Sequence, residues 1–204
     1  MFEIIGTVLV CFVVADFLTG FFHWLEDTYC LEGLPLVGQI ICEPNIDHHL
    51  DPNLMVRTGS FFSRNLLSWS LGVAVAAALW FVGLGSWPVY LTLLFASFGN
   101  EVHRWNHMNQ SNRFAEFLKD SGLVQSRKQH SMHHKPPFTS NYCILGSFTN
   151  AVLERVRFWR RLETAIAVVT GISPKRENRR DYAMAKKVRP EDHEETPNKQ
   201  NLAA

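Results

Sequence analysis

Three stretches of the chain stay apolar for the roughly 20 residues a helix needs to cross a hydrocarbon core. They run from about Ile4 to Leu25, from about Leu66 to Gly85 and from about Val89 to His107. The second carries no charge and is rich in Ala, Val, Leu and Trp. Gly85-Ser86-Trp87-Pro88 between the second and third reads as a tight hairpin, with Trp87 suited to an interface. The first stretch contains Asp16 and lacks a basic leader or a small-residue cleavage site, so it reads as a retained span. Polar sequence fills residues 26–65 and 108–204. Within the latter, Val152 to Thr170 reads as one amphipathic helix. Val152, Val156, Trp159, Leu162 and Ile166 form its apolar stripe, beside Arg155, Arg157, Arg160 and Arg161. Such a helix either lies among lipid headgroups or packs on a core. Past about Pro174 the chain is charged and rich in Pro, Asn and Gln. The expectation is a membrane-embedded domain over 1–175 and a polar, disordered tail over 176–204. The class is all-α integral membrane, with about three transmembrane helices and a helical cap.

The basic residues orient these spans. Neither the N-terminal end of the first span nor the Gly85–Pro88 hairpin carries Lys or Arg. Arg57 and Arg64 follow the first span, and Arg104, Arg113, Lys119, Arg127, Lys128 and Lys135 lie at or beyond the end of the third. The positive-inside rule then places the N-terminus and hairpin outside and the cap in the cytosol. Mean hydropathy is near zero only because very apolar spans are averaged with a very polar tail. A net charge of +1 gives no basis for a nucleic-acid partner. The four cysteines form no CxxC pattern and are expected to be reduced, as on a cytosol-facing protein. No internal repeat, nucleotide fingerprint or nucleophile elbow is present.

Eight of the nine histidines fall into four clusters, all on the predicted cytosolic side. His103 and His107 stand four apart at the end of the third stretch, on one face of a helix. His130, His133 and His134 form HxxHH just before Pro136-Pro137, which stops a helix. Two of these rings share a face and the third is offset toward a second metal; a surface histidine tract would show the same spacing. His48-His49 lie in the loop after the first span, and adjacent rings there diverge toward different partners. His23 ends the first span, and alone it would read as a packed core histidine. Asp16, Asp27, Asp47 and Asp51 are candidates to orient the imidazoles from behind, and Asp27, one turn past His23, could also bind metal directly. Asp16 would equally serve as a helix–helix hydrogen bond. His193, in the polar tail, is left out of the site. Eight imidazoles are about what two adjacent metal ions need, and the spacing suits iron, zinc, copper or nickel alike.

Several stretches carry a resemblance: residues 15–24, Asp47 to Pro52, Asn100 to His107, Ser126 to His134, Asn141 to Ile144 and Phe158 to Glu163. On these the chain resembles the Kua and CarF-type lipid desaturase family, which includes the plasmanylethanolamine desaturases and, as a related branch, the plant chloroplast phosphatidylglycerol fatty acid desaturase. The first two boxes and Phe158 to Glu163 look more like the plasmanylethanolamine branch. Asp120-Ser121-Gly122 through Asn141-Tyr142 looks more like the chloroplast branch. Ser121-Gly122 stands where the animal enzymes carry Trp-His, and Phe138 stands where they carry a histidine.

The resemblance implies a catalytic site of two non-haem iron ions held by His23, His48, His49, His103, His107, His130, His133 and His134. It also implies O2 as co-substrate, a phospholipid substrate and an external electron donor of cytochrome b5 or ferredoxin type. The reaction it points to first is formation of the vinyl-ether bond of an ether lipid, with fatty-acyl desaturation or hydroxylation as the alternative. A metal transporter would want polar residues through the bilayer midplane, where only Asp16 lies deep. A b-type haem would want ligands on facing helices, which His103 and His107 do not supply. A compact N-terminus without a targeting sequence points to a bacterial inner membrane ahead of endoplasmic reticulum.

Overall fold

The computed structural model describes residues 1–31, 33–135 and 137–174. The tail expected over 176–204 lies outside the described residues. Ten α-helices follow one another, and no strand occurs among the described residues. In order they are α1 Phe2–Tyr29, α2 Glu43–Leu50, α3 Leu54–Arg57, α4 Phe61–Phe81, α5 Trp87–Ser97, α6 Gly99–His107, α7 Arg113–Asp120, α8 Arg127–His133, α9 Phe148–Arg155 and α10 Phe158–Thr170. A π-helical turn, Gly38–Cys42, runs directly into α2.

Two helices, α1 and α4, are long and apolar enough to cross a membrane. Little of either apolar stretch is buried, 22% in α1 and 6% in α4. Leu66, Leu67, Leu71, Val73 and Trp80 all face outward along α4, as a lipid-facing helix requires. Ser60 starts α4 with a reciprocal capping box to Ser63. The expected third span is divided. A break at Phe98 separates α5 from α6, and the 11 residues of α5 rise only about 16 Å. α5 packs along α1, where Phe12 and Phe95 meet edge to face at 5.5 Å. Gly99 opens α6 against Thr19 of α1, and a Cβ there would lie 3.3 Å from Thr19 Cγ2. This close seat lets the polar, histidine-bearing α6 turn away from the line of α5.

The helix expected over 152–170 is also two. α9 ends at Arg155, Arg157 adopts a left-handed backbone at φ 52°, and α10 starts afresh. The break turns Trp159 inward to stack on Trp24 and Phe17, with ring centroids 5.4 Å and 6.1 Å away. Phe148, Val152 and Val156 stay exposed. Within the connection between the first two predicted spans, His48 and His49 lie on α2.

The segment 140–146 crosses α1 without regular structure. Gly20 makes room for it, since a Cβ there would fall 2.9 Å from the Cys143 Cα. Asp16 Oδ1 accepts from the N–H groups of both Leu145 and Gly146 at 2.9 Å. Gln125 Nε2 donates to Cys143 O at 2.8 Å, and Asn150 both accepts from Cys143 N and donates to Cys143 O.

One expectation about the cysteines is overturned. Cys30 and Cys42 form a disulfide, while Cys11 and Cys143 are free and buried. The bridge joins the end of α1 to the entry of α2, with 12 residues of sequence separation. Closing a loop of that size removes about 3 kcal/mol of chain entropy from the unfolded state. Replacing both cysteines with serine should therefore lower the unfolding free energy by up to that amount, read as a lower thermal midpoint, and reduction of the parent protein in the unfolded state should lower its midpoint to match. A midpoint insensitive to both changes would show that the bridge does not form.

Candidate metal centre

Four helices carry the histidines to one place. α1 supplies His23, α2 supplies His48 and His49, α6 supplies His103 and His107, and α8 with its C-cap supplies His130, His133 and His134. Local sequence sets each presentation. The i,i+4 spacing on α6 sets His103 beside His107, with tilted rings and centroids 5.1 Å apart. Ser126 caps α8 by accepting the Gln129 N–H at 3.2 Å, which starts the helix one turn before His130.

The donor atoms form two groups, each with all its atoms within 4.8 Å of one another. The first holds His48, His103, His107, His130 and His134; the second holds His23, Asp27, His49 and His133. In the first, Nε2 atoms approach at 2.9 Å (His48–His103), 2.7 Å (His107–His130) and 3.1 Å (His130–His134). In the second, His49 Nε2 lies 3.1 Å from Asp27 Oδ1 and 3.4 Å from His133 Nε2. His133 Nε2 lies 3.3 Å from Asp27 Oδ2, and His23 Nε2 lies 4.0 Å from it. Metal–nitrogen bonds of about 2.0–2.1 Å put neighbouring vertices roughly 2.9 Å apart in an octahedron and 3.4 Å apart in a tetrahedron. Most of the observed separations are edges of that size, so the donor set fits a pair of metal ions. The groups share a wall, with His49 and His134 centroids 4.6 Å apart. The pair His48-His49 divides between the groups, and so does HxxHH, with His130 and His134 on one side and His133 on the other.

The chemistry of the donors suits this geometry. Burial first, and neighbouring imidazoles second, hold His48, His130, His133 and His134 well below the ordinary histidine range. They are therefore neutral, with lone pairs available to a cation. His23 Nδ1 lies 3.1 Å from Tyr142 O and His133 Nδ1 lies 2.9 Å from Ser140 O. A proton held on Nδ1 by a carbonyl leaves the lone pair on Nε2, facing the site.

The four aspartates expected behind the histidines separate. Asp27 stands among the donors and is nearly inaccessible, and Asn45 donates to its Oδ1 at 2.8 Å. Asp16 touches no histidine in this arrangement and instead fastens Leu145 and Gly146. Asp51 is drawn outward by an exposed ion pair to Arg57 and accepts from Asn53 N. Asp47 belongs to neither donor group. Sequence reasoning missed Asn45 and the carbonyls of Ser140 and Tyr142. Asn45 sits one turn before His49 on α2, a position the helical spacing could have exposed. The carbonyls have no side-chain signature.

Among the described residues, fold and site define an all-helical protein with two helices of membrane-spanning length and a buried, histidine-rich cluster suited to binding metal. The chain belongs to the lipid desaturase family: residues 12–177 match the lipid desaturase domain. Plasmanylethanolamine desaturase 1 of Mus musculus is 31% identical over 190 residues, covering 87% of this chain and 69% of the mouse protein. Plasmanylethanolamine desaturase of Myxococcus xanthus is 28% identical over 181 residues, covering 86% and 64%. The chloroplastic fatty acid desaturase 4 of Arabidopsis thaliana is 30% identical over 171 residues, covering 80% and 52%. No solved structure matches the chain. Family membership makes the protein an oxidoreductase of lipid metabolism.

The depressed histidines predict the pH response of metal-free protein. Unfolded histidine titrates near pH 6.5, and these groups titrate well below it when folded. Protons therefore bind the unfolded chain more readily. Stability is complete above about pH 6.5 and falls as pH drops below it, by about 1.4 kcal/mol per pH unit for each such group. Thermal melts of chelator-treated protein between pH 5 and 8 should show this fall, and divalent metal should raise the midpoint. A flat profile would contradict neutral, buried imidazoles.

Proposed function

We propose that the chain is an O2-dependent, non-haem di-iron lipid desaturase. The observation that carries this reading is the convergence of nine donors into two adjoining groups at metal-ligand spacing. His48, His103, His107, His130 and His134 hold one ion, and His23, Asp27, His49 and His133 hold the other. Bound there, two iron ions supply, with O2, the redox chemistry that removes two hydrogens from neighbouring carbons of a lipid chain.

The chain's own residues do the rest. Buried imidazoles stay neutral and present lone pairs, and the Ser140 and Tyr142 carbonyls set which nitrogen is free. Asn45 aims one oxygen of Asp27. The fold must also position the substrate, because an alkyl chain offers no polar mark to choose one carbon over the next. Leu34, Leu36, Val37 and Ile40 are exposed between α1 and α2, next to the donor helices, and suit contact with lipid.

The reaction we favour is conversion of a plasmanyl to a plasmenyl phospholipid, forming a vinyl ether. Its support is that the two relatives named for plasmanylethanolamine match 87% and 86% of this chain. Fatty-acyl desaturation is the second reading, favoured by the chloroplast-like stretch from Asp120 to Tyr142 and by the plant relative.

The proposed topology has α1 and α4 crossing the bilayer and α5 with α6 returning to the cap. The cap faces the cytosol, on the side that carries the arginines and lysines, most simply at a bacterial inner membrane. Electrons come from a carrier of cytochrome b5 or ferredoxin type. Arg127, Lys128 and Lys135 are exposed on and just after α8, whose inner face carries His130 and His133, and would attract an acidic carrier.

Expression in a host supplied with alkyl ether phospholipid, followed by lipidomics, tests the reaction. The expected product is an acid-labile vinyl ether; a new acyl double bond instead selects the second reading. His103→Ala and His134→Ala should each abolish product while the protein still accumulates in the membrane. Substantial product from either variant would sink the ligand assignment.

A further inference from the structure

We propose that the two metal sites are unequal by construction: the Asp27 site holds its ion the more tightly and fills first, and the five-histidine site fills second. This inference rests on the metal-binding part of the reading above and deepens it. What distinguishes the sites is how firmly each donor is aimed before any ion arrives.

In the Asp27 site, three of four donors are oriented. His23 and His133 are fixed through Nδ1 by backbone carbonyls. Asp27 is aimed by Asn45 and brings the one negative charge of either donor group. His49 is the exception, since its buried Nδ1 has no hydrogen-bond partner among the described residues. In the five-histidine site the balance is reversed. The Nδ1 atoms of His48, His130 and His134 are all buried without a hydrogen-bond partner among the described residues. Nothing observed selects the tautomer of these three rings, so binding an ion must also fix ring and proton in each. Removing such outer partners typically weakens metal binding 10- to 100-fold. The difference expected between the sites is therefore on the order of 10- to 100-fold.

The carbonyls that create this difference are themselves held. Phe138 and Asn141 flank the segment with left-handed backbone, at φ 57° and 59°. Such a conformation is uncommon for a non-glycine residue, and for phenylalanine especially so. Tyr142 Oη donates to Phe138 O at 2.9 Å, and Glu154 Oε1 accepts from Asn141 N at 3.0 Å. Gln125, Asn150 and Asp16 secure residues 143–146, as described above. Asn150 is fully buried and uses both halves of its amide on Cys143, which only an amide does at that place. Asn150 and Asn45 are thus positioning residues for the Asp27 site, acting through the backbone and through Asp27.

Stepwise Co2+ titration of metal-free, full-length protein in detergent micelles tests this, read by ligand-field absorption and by bound-metal stoichiometry. The parent protein should bind two ions in two resolved steps, the first about 10- to 100-fold tighter. Asp27→Asn should lose the tight step and keep one weaker ion. Asn45→Ala and Asn150→Asp should weaken the first step toward the second and leave the second in place. Two equal steps in the parent protein, or variants that weaken only the second step, overturn the proposal. If Asn150→Asp fails to fold, the parent titration and Asn45→Ala still decide it. Unequal binding by a protein that makes no lipid product would leave this inference standing and remove the desaturase reading. Product formation with two equally held ions would do the reverse.

Discussion

Everything in this protein is arranged around a cluster that is unfavourable on its own. Eight imidazoles and a carboxylate are brought together with their lone pairs converging, and most of them are buried. Neutral nitrogens face one another at 2.7–3.1 Å in the five-histidine group. Desolvated polar groups of this kind cost free energy unless something satisfies them. Asp27 lies beside the imidazoles of His23, His49 and His133 and accepts from the amide of Asn45. A divalent cation bound there would answer both the convergent lone pairs and the buried carboxylate.

Holding such a cluster together requires rigidity elsewhere, and the fold supplies it with polar braces as well as packing. Trp24, Tyr142 and Trp159 form a buried aromatic wall behind His23 and His133, with Tyr142 and Trp159 centroids 5.3 Å apart. Trp24 Nε1 donates to Glu163 at 2.9 Å, tying α1 to α10. On the other side Gln125 links the segment 140–146 to Asn106 of α6, which carries His103 and His107. A buried Glu101 accepts from Arg64, Asn65 and Arg104, and so fixes α6 to the start of α4. The amides and carboxylates that the site does not use as donors thus serve mainly to hold its walls.

Local periodicity made part of this legible from sequence. The i,i+4 pair of His103 and His107 and the HxxHH run report their helical faces directly, and the divergence of His48 and His49 follows from adjacent positions on a helix. Features that depend on contacts between distant segments could not be read in the same way. The split of α5 from α6 arises where Gly99 meets Thr19 of α1. The split of α9 from α10 rests on one left-handed arginine, a residue type that does not announce it. Asp16 was conspicuous as a charge in an apolar helix, yet its partners are N–H groups 129 and 130 residues away. Of the two roles open to Asp27 in the sequence, its place within a donor group favours the direct one, because α2 folds back over α1.

That return of α2 onto α1 is where covalent and electrostatic order meet. Cys30 lies three residues past Asp27 and Cys42 lies three before Asn45, so the bridge brackets the Asn45–Asp27 hydrogen bond. The same return delivers His49 to one site and His48 to the other. A disulfide is ordinarily at odds with a cytosolic face, where soluble thiols keep cysteines reduced. Here Cys42 is almost fully buried, and the loop between the cysteines exposes Leu34, Leu36, Val37 and Ile40. Seated in the bilayer, such a loop would keep water-soluble thiols from the bridge. Attack on a disulfide requires access as well as a favourable potential. A lipid-shielded bridge and the cytosol-facing cap proposed above are therefore physically compatible. The membrane would then do for the bridge what the protein interior does for the histidines, which is to keep water and its solutes out.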